Sequence, residues 1–378
     1  MTQKVFAPVS PRAARRVLTA AMLAVSVAVA PGLGSPALAA PESFAGLAEQ
    51  VSDAVVNITT STTVAAPAQP GPMFPPGSPF EDLFRDFGGP RGPDGAPGPR
   101  RSNALGSGFV ISEDGFIVTN NHVIEGADEI EVEFFSGQRL EAKLIGTDPK
   151  TDVALLKVES DKPLKFVNFG DSDRMRVGDW VMAMGNPLGQ GFSVSAGIVS
   201  ARNRELSGTY DDYLQTDAAI NRGNSGGPLF NDAGEVVGMN TAILSPSGGS
   251  VGIGFAVPGD MVKAVVADIA DDGQVERGWL GVRIQPVSDE VATVLGLDAA
   301  RGAMIEAVEP DTPAEGAGLM KGDIVVSVNG ATVDGPRDLT RLIAGDKPGA
   351  AIRLGVLRKG DTLEIGVTLG ERAVDEPA

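Results

Sequence analysis

Short apolar segments separated by turns follow one another from residue 104 to residue 257, and this pattern limits the fold more than any other feature. Helical periodicity is scarce until residues 260–270, where it predicts the helix that closes the first domain. Many short strands with turn signals between them are typical of a β-sandwich or a β-barrel. We expect strands at 107–111, 116–119, 130–134, 138–145, 153–158, 180–184, 192–201, 212–216, 227–231, 235–243 and 251–257.

A second, smaller unit follows at residues 277–370. Its order is strand, helix, strand, short helix, strand, helix and two strands, which predicts a small α+β domain. The chain length of 378 residues agrees with two domains, because one domain usually takes about 100–200 residues. We therefore place a mainly β domain at 40–271, an α+β domain at 272–371 and a polar tail at 372–378.

The first 39 residues have the layout of a signal peptide. Three arginines lie between positions 12 and 16, an apolar run covers 17–30, and Ala-Leu-Ala at 37–39 fits a cleavage site. As a helix the apolar run would be about 21 Å long, which is short of the ~30 Å hydrocarbon core of a membrane. We therefore expect cleavage, export by the Sec or the twin-arginine route, and no stable membrane span.

Composition excludes several kinds of chemistry. The chain has no Cys and a single His, so disulfides, thiolate nucleophiles, zinc fingers, iron–sulfur clusters and His-pair metal sites are excluded. An all-carboxylate calcium or magnesium site stays open, but the sequence has no EF-hand loop. We expect no metal and no cofactor. The 49 acidic residues outnumber the 31 basic ones and give a net charge of −18, which repels nucleic acid.

Residues 65–102 interrupt the first domain with a stretch dense in Pro and Gly. Such a composition predicts an irregular loop rather than a core element. Inside it, the segment 80–87 has apolar residues at helical spacing. We interpret this segment either as a docking element carried by the loop or as an apolar stretch without a partner.

The segment Gly-Asn-Ser-Gly-Gly-Pro-Leu at 223–229 carries the sharpest sign of chemistry. Small residues around Ser225 allow a tight turn that exposes the hydroxyl and lets successive backbone N–H groups converge on one point. Such convergence is what an oxyanion hole needs in acyl transfer. A glycine-rich turn without function is the alternative interpretation of this segment alone.

A serine hydroxyl is a weak nucleophile near neutral pH and needs a base, most often a histidine. His122 is the only histidine of the chain, and it lies directly after a predicted strand. Asp152 precedes the apolar segment 153–158, so a carboxylate facing inward there needs a partner. Taken alone, Asp152 would be interpreted as a cap at the edge of a strand.

Together these segments resemble the HtrA/Deg family of chymotrypsin-like serine proteases. The resemblance rests on T-N-N-H-V around His122, T-D-V-A-L-L-K-V around Asp152 and Q-T-D-A-A-I-N-R-G-N-S-G-G-P-L-F at 215–230. It implies a chymotrypsin-like double β-barrel in which Ser225 is the nucleophile, His122 is the general base and then acid, and Asp152 orients the imidazole.

The resemblance also assigns the parts of the site that contact the substrate. It implies that backbone N–H groups of Gly223, Asn224 and Ser225 form the oxyanion hole. It further implies that Ile220 lines an S1 pocket for small aliphatic side chains.

The second unit is similar to a PDZ domain of the HtrA type, through R-G-W-L-G-V at 277–282 and G-L-M-K-G-D-I-V-V-S-V-N-G at 318–330. Such domains add an extended peptide to a sheet edge and bind its C-terminal carboxylate on loop N–H groups. The resemblance implies that Leu280, Gly281 and Val282 bind this carboxylate. A loop that only packs Trp279 is the alternative.

The function implied by the resemblance is a periplasmic serine endopeptidase that degrades misfolded or damaged envelope proteins. Its expected partners are unfolded polypeptides, C-terminal peptides bound by the PDZ domain, and further copies of the chain in a homotrimer or a multiple of it. A chaperone-like peptide-binding protein and a regulatory protease that cuts one specific membrane substrate are the alternatives.

Overall fold

The computed structural model describes residues 41–64, 100–186, 192–206, 208, 210–221, 223–246, 249–295 and 299–371. The expected signal peptide, the apolar segment at 80–87 and the tail at 372–378 lie outside the described residues. Within the described ranges, no helix has both the length and the apolar character that a membrane crossing requires.

Six strands form the first barrel. They are β1 (Val55–Val64), β2 (Arg100–Val110), β3 (Phe116–Asn120), β4 (Glu129–Phe134), β5 (Arg139–Asp148) and β6 (Val153–Val158). Helix α1 (Ala45–Val51) precedes β1, and the short helix α2 (Asn121–Ile124) follows β3 directly. The strands pair in the order β1–β2–β3–β6–β5–β4, and antiparallel pairing of β1 with β4 closes the barrel.

The start of β2 corrects one sequence prediction. The sequence predicts an irregular loop through residue 102 and a strand from 107, but β2 already begins at Arg100. Residues 100–109 all pair with β1. Backbone hydrogen bonding to a long neighbouring strand therefore outweighs the weak local strand propensity of this segment.

Six more strands form the second barrel. They are β7 (Trp180–Gly185), β8 (Ser193–Arg204), β9 (Tyr213–Thr216), β10 (Pro228–Phe230), β11 (Val236–Ile243) and β12 (Gly254–Pro258). Their order is β10–β11–β12–β9–β8–β7, and pairing of β10 with β7 closes this barrel. Phe109 of the first barrel and Met184 and Phe230 of the second belong to one continuous apolar core. The double β-barrel expected from the resemblance is confirmed.

Helix α3 (Gly259–Asp272) follows β12 and buries four aliphatic side chains. Gly146 in β5 allows the helix to approach, because a Cβ atom there would lie 2.7 Å from Cγ2 of Ile269. Gly273 follows the last residue of the helix, and its φ of 82° is a left-handed conformation that glycine adopts without strain.

The remaining elements form a small α+β unit with an apolar core of its own. They are β13 (Gly278–Trp279), β14 (Val282–Pro286), α4 (Asp289–Leu295), β15 (Ala303–Val308), α5 (Pro313–Gly316), β16 (Ile324–Val328), β17 (Ala331–Thr332), α6 (Pro336–Ala344), β18 (Ala351–Arg358), β19 (Asp361–Thr368) and β20 (Gly370–Glu371). The main sheet has the order β14–β15–β16–β18–β19. Buried Asp323 accepts two hydrogen bonds of 2.7 Å from Arg358 at one end of this sheet.

Candidate active site

Strand pairing in the first barrel brings His122 and Asp152 together. Asn120 at the end of β3 pairs with Val153 at the start of β6. His122 comes two residues after Asn120 and Asp152 comes directly before Val153, so the pairing brings His122 and Asp152 close together. His122 Nδ1 lies 2.7 Å from Asp152 Oδ2, and the backbone N–H of His122 donates to Asp152 Oδ1 at 2.9 Å. A carboxylate can only accept, so the proton of this pair lies on Nδ1 and leaves the Nε2 lone pair available.

The main chain of Asp152 is fixed as firmly as its side chain. Its φ of 59° is in the left-handed region, which is uncommon for a residue with a side chain. Its carbonyl accepts hydrogen bonds from the backbone N–H of Asn121 at 3.0 Å and from Nδ2 of Asn120 at 2.9 Å. These bonds hold a conformation that costs about 1–3 kcal/mol in isolation.

Asp152 also accepts a hydrogen bond from the second barrel, because Thr241 Oγ1 donates to Asp152 Oδ2 at 2.7 Å. Burial is the largest single influence on the pKa of Asp152 and raises it. The hydrogen bonds and charge of His122 and the hydroxyl of Thr241 together outweigh burial, so the pKa lies below its ordinary value. The carboxylate is therefore ionised at neutral pH and able to stabilise a positive imidazolium.

Ser225 lies in the turn between β9 and β10, against the same threonine. Its Oγ is 3.4 Å from the carbonyl oxygen of Thr241. Thr241 thus contacts both Ser225 and Asp152, and the three predicted side chains gather where the two barrels meet. Among the described contacts, the Ser225 hydroxyl pairs with Thr241 rather than with His122.

The turn around Ser225 depends on glycine. Gly223 and Gly226 have φ values of 99° and 82°, and a Cβ atom on Gly226 would overlap the carbonyl oxygen of Ser107. The N–H groups of Gly223 and Ser225 have no acceptor among the described residues. Their role as donors to an oxyanion stays a prediction.

The prediction for Asn224 is corrected by the structure. Its backbone N–H donates to the carbonyl of Asn221 at 3.0 Å, inside the turn, so it is not available to a developing oxyanion. The sequence could not show which of the three N–H groups is available to an oxyanion, because the direction of each N–H depends on the dihedral angles of the turn.

Two family models match the chain: a trypsin-like peptidase domain over residues 106–239 and a PDZ domain over residues 278–369. A probable periplasmic serine endoprotease, DegP-like, of Brucella suis is 48% identical over 356 residues, which cover 88% of this chain and 69% of the relative. A protein of the same description from Rhizobium meliloti is 50% identical over 300 residues, covering 79% of this chain and 59% of the relative.

Among solved structures, the HtrA-type protease AlgW with a decapeptide superposes with a TM-score of 0.68 at 39% identity, covering 88% of this chain and 99% of that one. This chain belongs to the HtrA family of serine endoproteases. The family resemblance, the fold class and the enzyme class expected from the sequence are confirmed.

The second barrel of this HtrA protease buries Ile220, which is 1% exposed. A Cβ atom on Gly254 of β12 would lie 2.8 Å from Ile220 Cγ1, so the absence of a side chain at residue 254 makes room for the isoleucine. Ile220 is part of an apolar cluster that includes Val199 and Leu229. Its role in an S1 pocket stays a prediction.

The PDZ domain of this HtrA protease has a groove between β14 and α6. Leu280, Gly281 and Val282 line a cavity of about 330 Å³ together with Ile284 of β14 and Leu339 and Ile343 of α6. Lys150 and Tyr210 of the first domain and residues 274–277 line the same cavity. The φ of Gly281 is 82°, and a Cβ atom there would overlap Thr312. Glycine is therefore required at the loop where the sequence predicts capture of a carboxylate.

Among the described residues of this HtrA protease, no three His, Asp or Glu side chains lie close enough to hold a metal ion.

Proposed function

We propose that this protein is an exported, periplasmic serine endopeptidase that degrades misfolded or damaged envelope proteins, with Ser225, His122 and Asp152 as its catalytic triad. One observation carries the proposal: Thr241 contacts the Ser225 hydroxyl at 3.4 Å and the Asp152 carboxylate at 2.7 Å, while His122 bonds the same carboxylate. The description of the relatives as periplasmic endoproteases and the layout of residues 1–39 support the location.

The reaction begins when Ser225 Oγ attacks the carbonyl carbon of the scissile bond and His122 Nε2 takes its proton. The attack requires the hydroxyl to rotate from the Thr241 carbonyl to the imidazole once a substrate is bound. Negative charge then develops on the carbonyl oxygen, where the N–H groups of Gly223 and Ser225 stabilise it. Asp152 stabilises the imidazolium through its bond to Nδ1.

The tetrahedral intermediate collapses when His122 gives its proton to the leaving amine, and the first product departs. Water then attacks the acyl-enzyme with His122 again acting as base, which releases the second product and restores Ser225. We assign Ile220 to the floor of a small apolar S1 pocket. Such a pocket discriminates weakly, by about 1–3 kcal/mol per methylene group, which suits an enzyme that cuts many unfolded chains.

We assign the protease domain to residues 40–271 and the PDZ domain to residues 272–371. In the PDZ domain, backbone N–H groups of Leu280, Gly281 and Val282 bind the C-terminal carboxylate of a peptide that pairs with β14. The groove beside β14 and the glycine at 281 support this assignment. Peptide binding by the PDZ domain recruits substrates or regulates the activity of the protease. The working assembly is a homotrimer or a multiple of it.

Casein cleavage by wild type and by Ser225→Ala tests the function. The variant keeps the fold and loses at least about 10⁴-fold in rate, because it removes the nucleophile. Thermal unfolding serves as the control for the fold. Proteolysis retained by a folded Ser225→Ala protein would overturn the assignment.

The same assay with short peptides that end in apolar residues tests the PDZ domain and the alternatives. Peptide binding by an inactive wild type would favour a chaperone-like protein. Activation by one defined C-terminal peptide, without any response to bulk unfolded protein, would favour a regulatory protease.

A further inference from the structure

Ser107 of β2 is fully buried, and every polar group it carries is hydrogen-bonded. Its backbone N–H donates to the carbonyl of Ser225 at 2.8 Å, and its own carbonyl accepts from Thr119 Oγ1 at 2.7 Å. Its Oγ donates to the carbonyl of Gly223 at 2.6 Å and accepts from the backbone N–H of Asn186 at 2.9 Å. One residue of the first barrel therefore contacts two points of the nucleophile turn in the second barrel.

The hydroxyl of Ser107 controls the peptide unit between Gly223 and Asn224. The carbonyl of this unit is held by Ser107 Oγ, and its N–H is held by the carbonyl of Asn221 at 3.0 Å. Because a peptide unit is planar, fixing both of its polar ends fixes the orientation of its plane. Glycine imposes little conformational preference of its own at Gly223, so these two hydrogen bonds supply the constraint.

The surroundings of Ser107 fit a residue of its size. A Cβ atom on Gly185 would lie 2.8 Å from Ser107 Oγ, and one on Gly227 would lie 3.1 Å from Ser107 Cβ. Glycines on two sides thus bring the backbone of the second barrel up to the hydroxyl. Alanine fits this space but offers neither the donor for Gly223 nor the acceptor for Asn186.

We infer that Ser107 is a positioning residue for the oxyanion hole of the proposed protease reaction. It holds the Gly223–Asn224 peptide so that the N–H groups of Gly223 and Ser225 point at the same place. Since Ser107 belongs to the first barrel, the donors of the second barrel are aligned only when the two barrels are docked. This role rests on the proposed function, because it concerns charge that develops during acyl transfer.

Ser107→Ala tests the inference through steady-state cleavage of a peptide substrate. We expect kcat to fall about 10- to 100-fold with KM changed less than twofold, because misaligned donors weaken binding of the transition state rather than of the substrate. A peptide aldehyde forms a tetrahedral adduct with Ser225 and places an oxyanion in the same position. Its affinity should fall by the same factor as kcat/KM.

Ser172→Ala is the matched control. Ser172 is also buried, and its Oγ donates to Asp260 Oδ2 at 2.7 Å and accepts from the Asp260 N–H at 3.1 Å. The control therefore also loses one donated and one accepted hydrogen bond of a buried hydroxyl, here to a carboxylate and from a backbone N–H of helix α3. We expect its kcat and aldehyde affinity to match wild type. Urea unfolding of both variants measures the loss of stability.

A purely structural role for Ser107 predicts a loss of stability like that of the control, with kcat and aldehyde affinity unchanged, and this result would overturn the inference. If Ser107→Ala does not fold, Ser107→Cys replaces the hydroxyl with a much poorer donor and acceptor, so kcat should fall in the same direction with KM nearly unchanged. A kcat equal to that of wild type would overturn the inference as well. Failure of the proposed function is a separate result, because it appears as an inactive wild type or an active Ser225→Ala protein.

Discussion

The two barrels contribute different halves of the candidate active site and hold them in different ways. The first barrel fixes His122 and Asp152 by hydrogen bonds between neighbouring strands of its own sheet. The second barrel carries Ser225 on a glycine-rich turn, and the carbonyls of Gly223 and Ser225 are anchored by Ser107 of the first barrel. The proposed base is therefore placed within one barrel, whereas the proposed nucleophile and its N–H donors need both.

Thr241 makes the reverse connection, from the second barrel to the first. Its hydroxyl bonds Asp152, and its carbonyl lies beside the Ser225 hydroxyl. Each barrel thus supplies one residue that bonds to the other barrel, Ser107 from the first and Thr241 from the second. Contacts across the interface therefore reach both parts of the candidate site, because Ser107 holds the turn of Ser225 and Thr241 supports the carboxylate of Asp152. Contacts within the first barrel place His122 beside that carboxylate.

Asp152→Asn removes the carboxylate that supports His122 in the first barrel, and we expect it to have the largest effect of the variants that compare the two barrels. We expect kcat/KM to fall about 10⁴-fold while the fold persists, because an amide no longer holds the imidazole in the required tautomer. Kinetics with a peptide substrate measure the effect. A loss of less than tenfold would mean that Asp152 does not orient His122.

Thr241→Val breaks the connection from the second barrel to Asp152. A hydrogen bond to a charged group contributes about 1.5–3 kcal/mol, so we expect kcat to fall about 10- to 100-fold. The pKa of Asp152 should also rise toward its ordinary value, because one of the groups that lower it is removed. Thr241→Ser keeps the hydroxyl and is the control. Equal activity of the Val and Ser variants would contradict the connection.

Asp114→Asn, in the hairpin between β2 and β3, has the smallest expected effect. A hydrogen bond from Lys157 at 2.8 Å is the main reason why the pKa of Asp114 lies below its ordinary value. Because the pKa is lowered in the folded state, the stabilisation is present above about pH 4 and is lost as the pH falls toward the folded pKa. Asp114 is exposed, so the loss of this ion pair costs less than about 1 kcal/mol at pH 7.

Urea unfolding at pH 7 and at pH 3 measures the effect of Asp114→Asn. The difference from wild type should shrink at the lower pH, and kcat should not change, because the pair lies outside the contacts that join the barrels. A difference that grows on acidification would contradict the sign of the pKa shift.

Residues whose position is set by the strand next to them in the chain could be predicted from the sequence. His122 follows β3 and Asp152 precedes β6, and both strands were visible as apolar segments flanking a characteristic motif. The alternation of short strands and turns likewise predicted a mainly β first domain. In these cases the local strand propensity of the segment favours the same structure as its packing in the folded protein.

Ser107 and Thr241 could not be found in this way. Their roles depend on which strands of the two barrels face each other, and Thr241 lies 89 positions from Asp152 along the chain. The error over Asn224 has a related cause, because residue type does not fix which way a backbone N–H points in a glycine-rich turn. The early start of β2 was missed because pairing with β1 outweighs local composition.

Labelling with a fluorophosphonate, followed by peptide mapping, tests most directly whether the two barrels form one active site. The account predicts a single adduct on Ser225 in the wild type, no adduct in Ser225→Ala, and labelling slowed by orders of magnitude in Asp152→Asn. An adduct on another serine, or a rate that does not depend on Asp152, would contradict it.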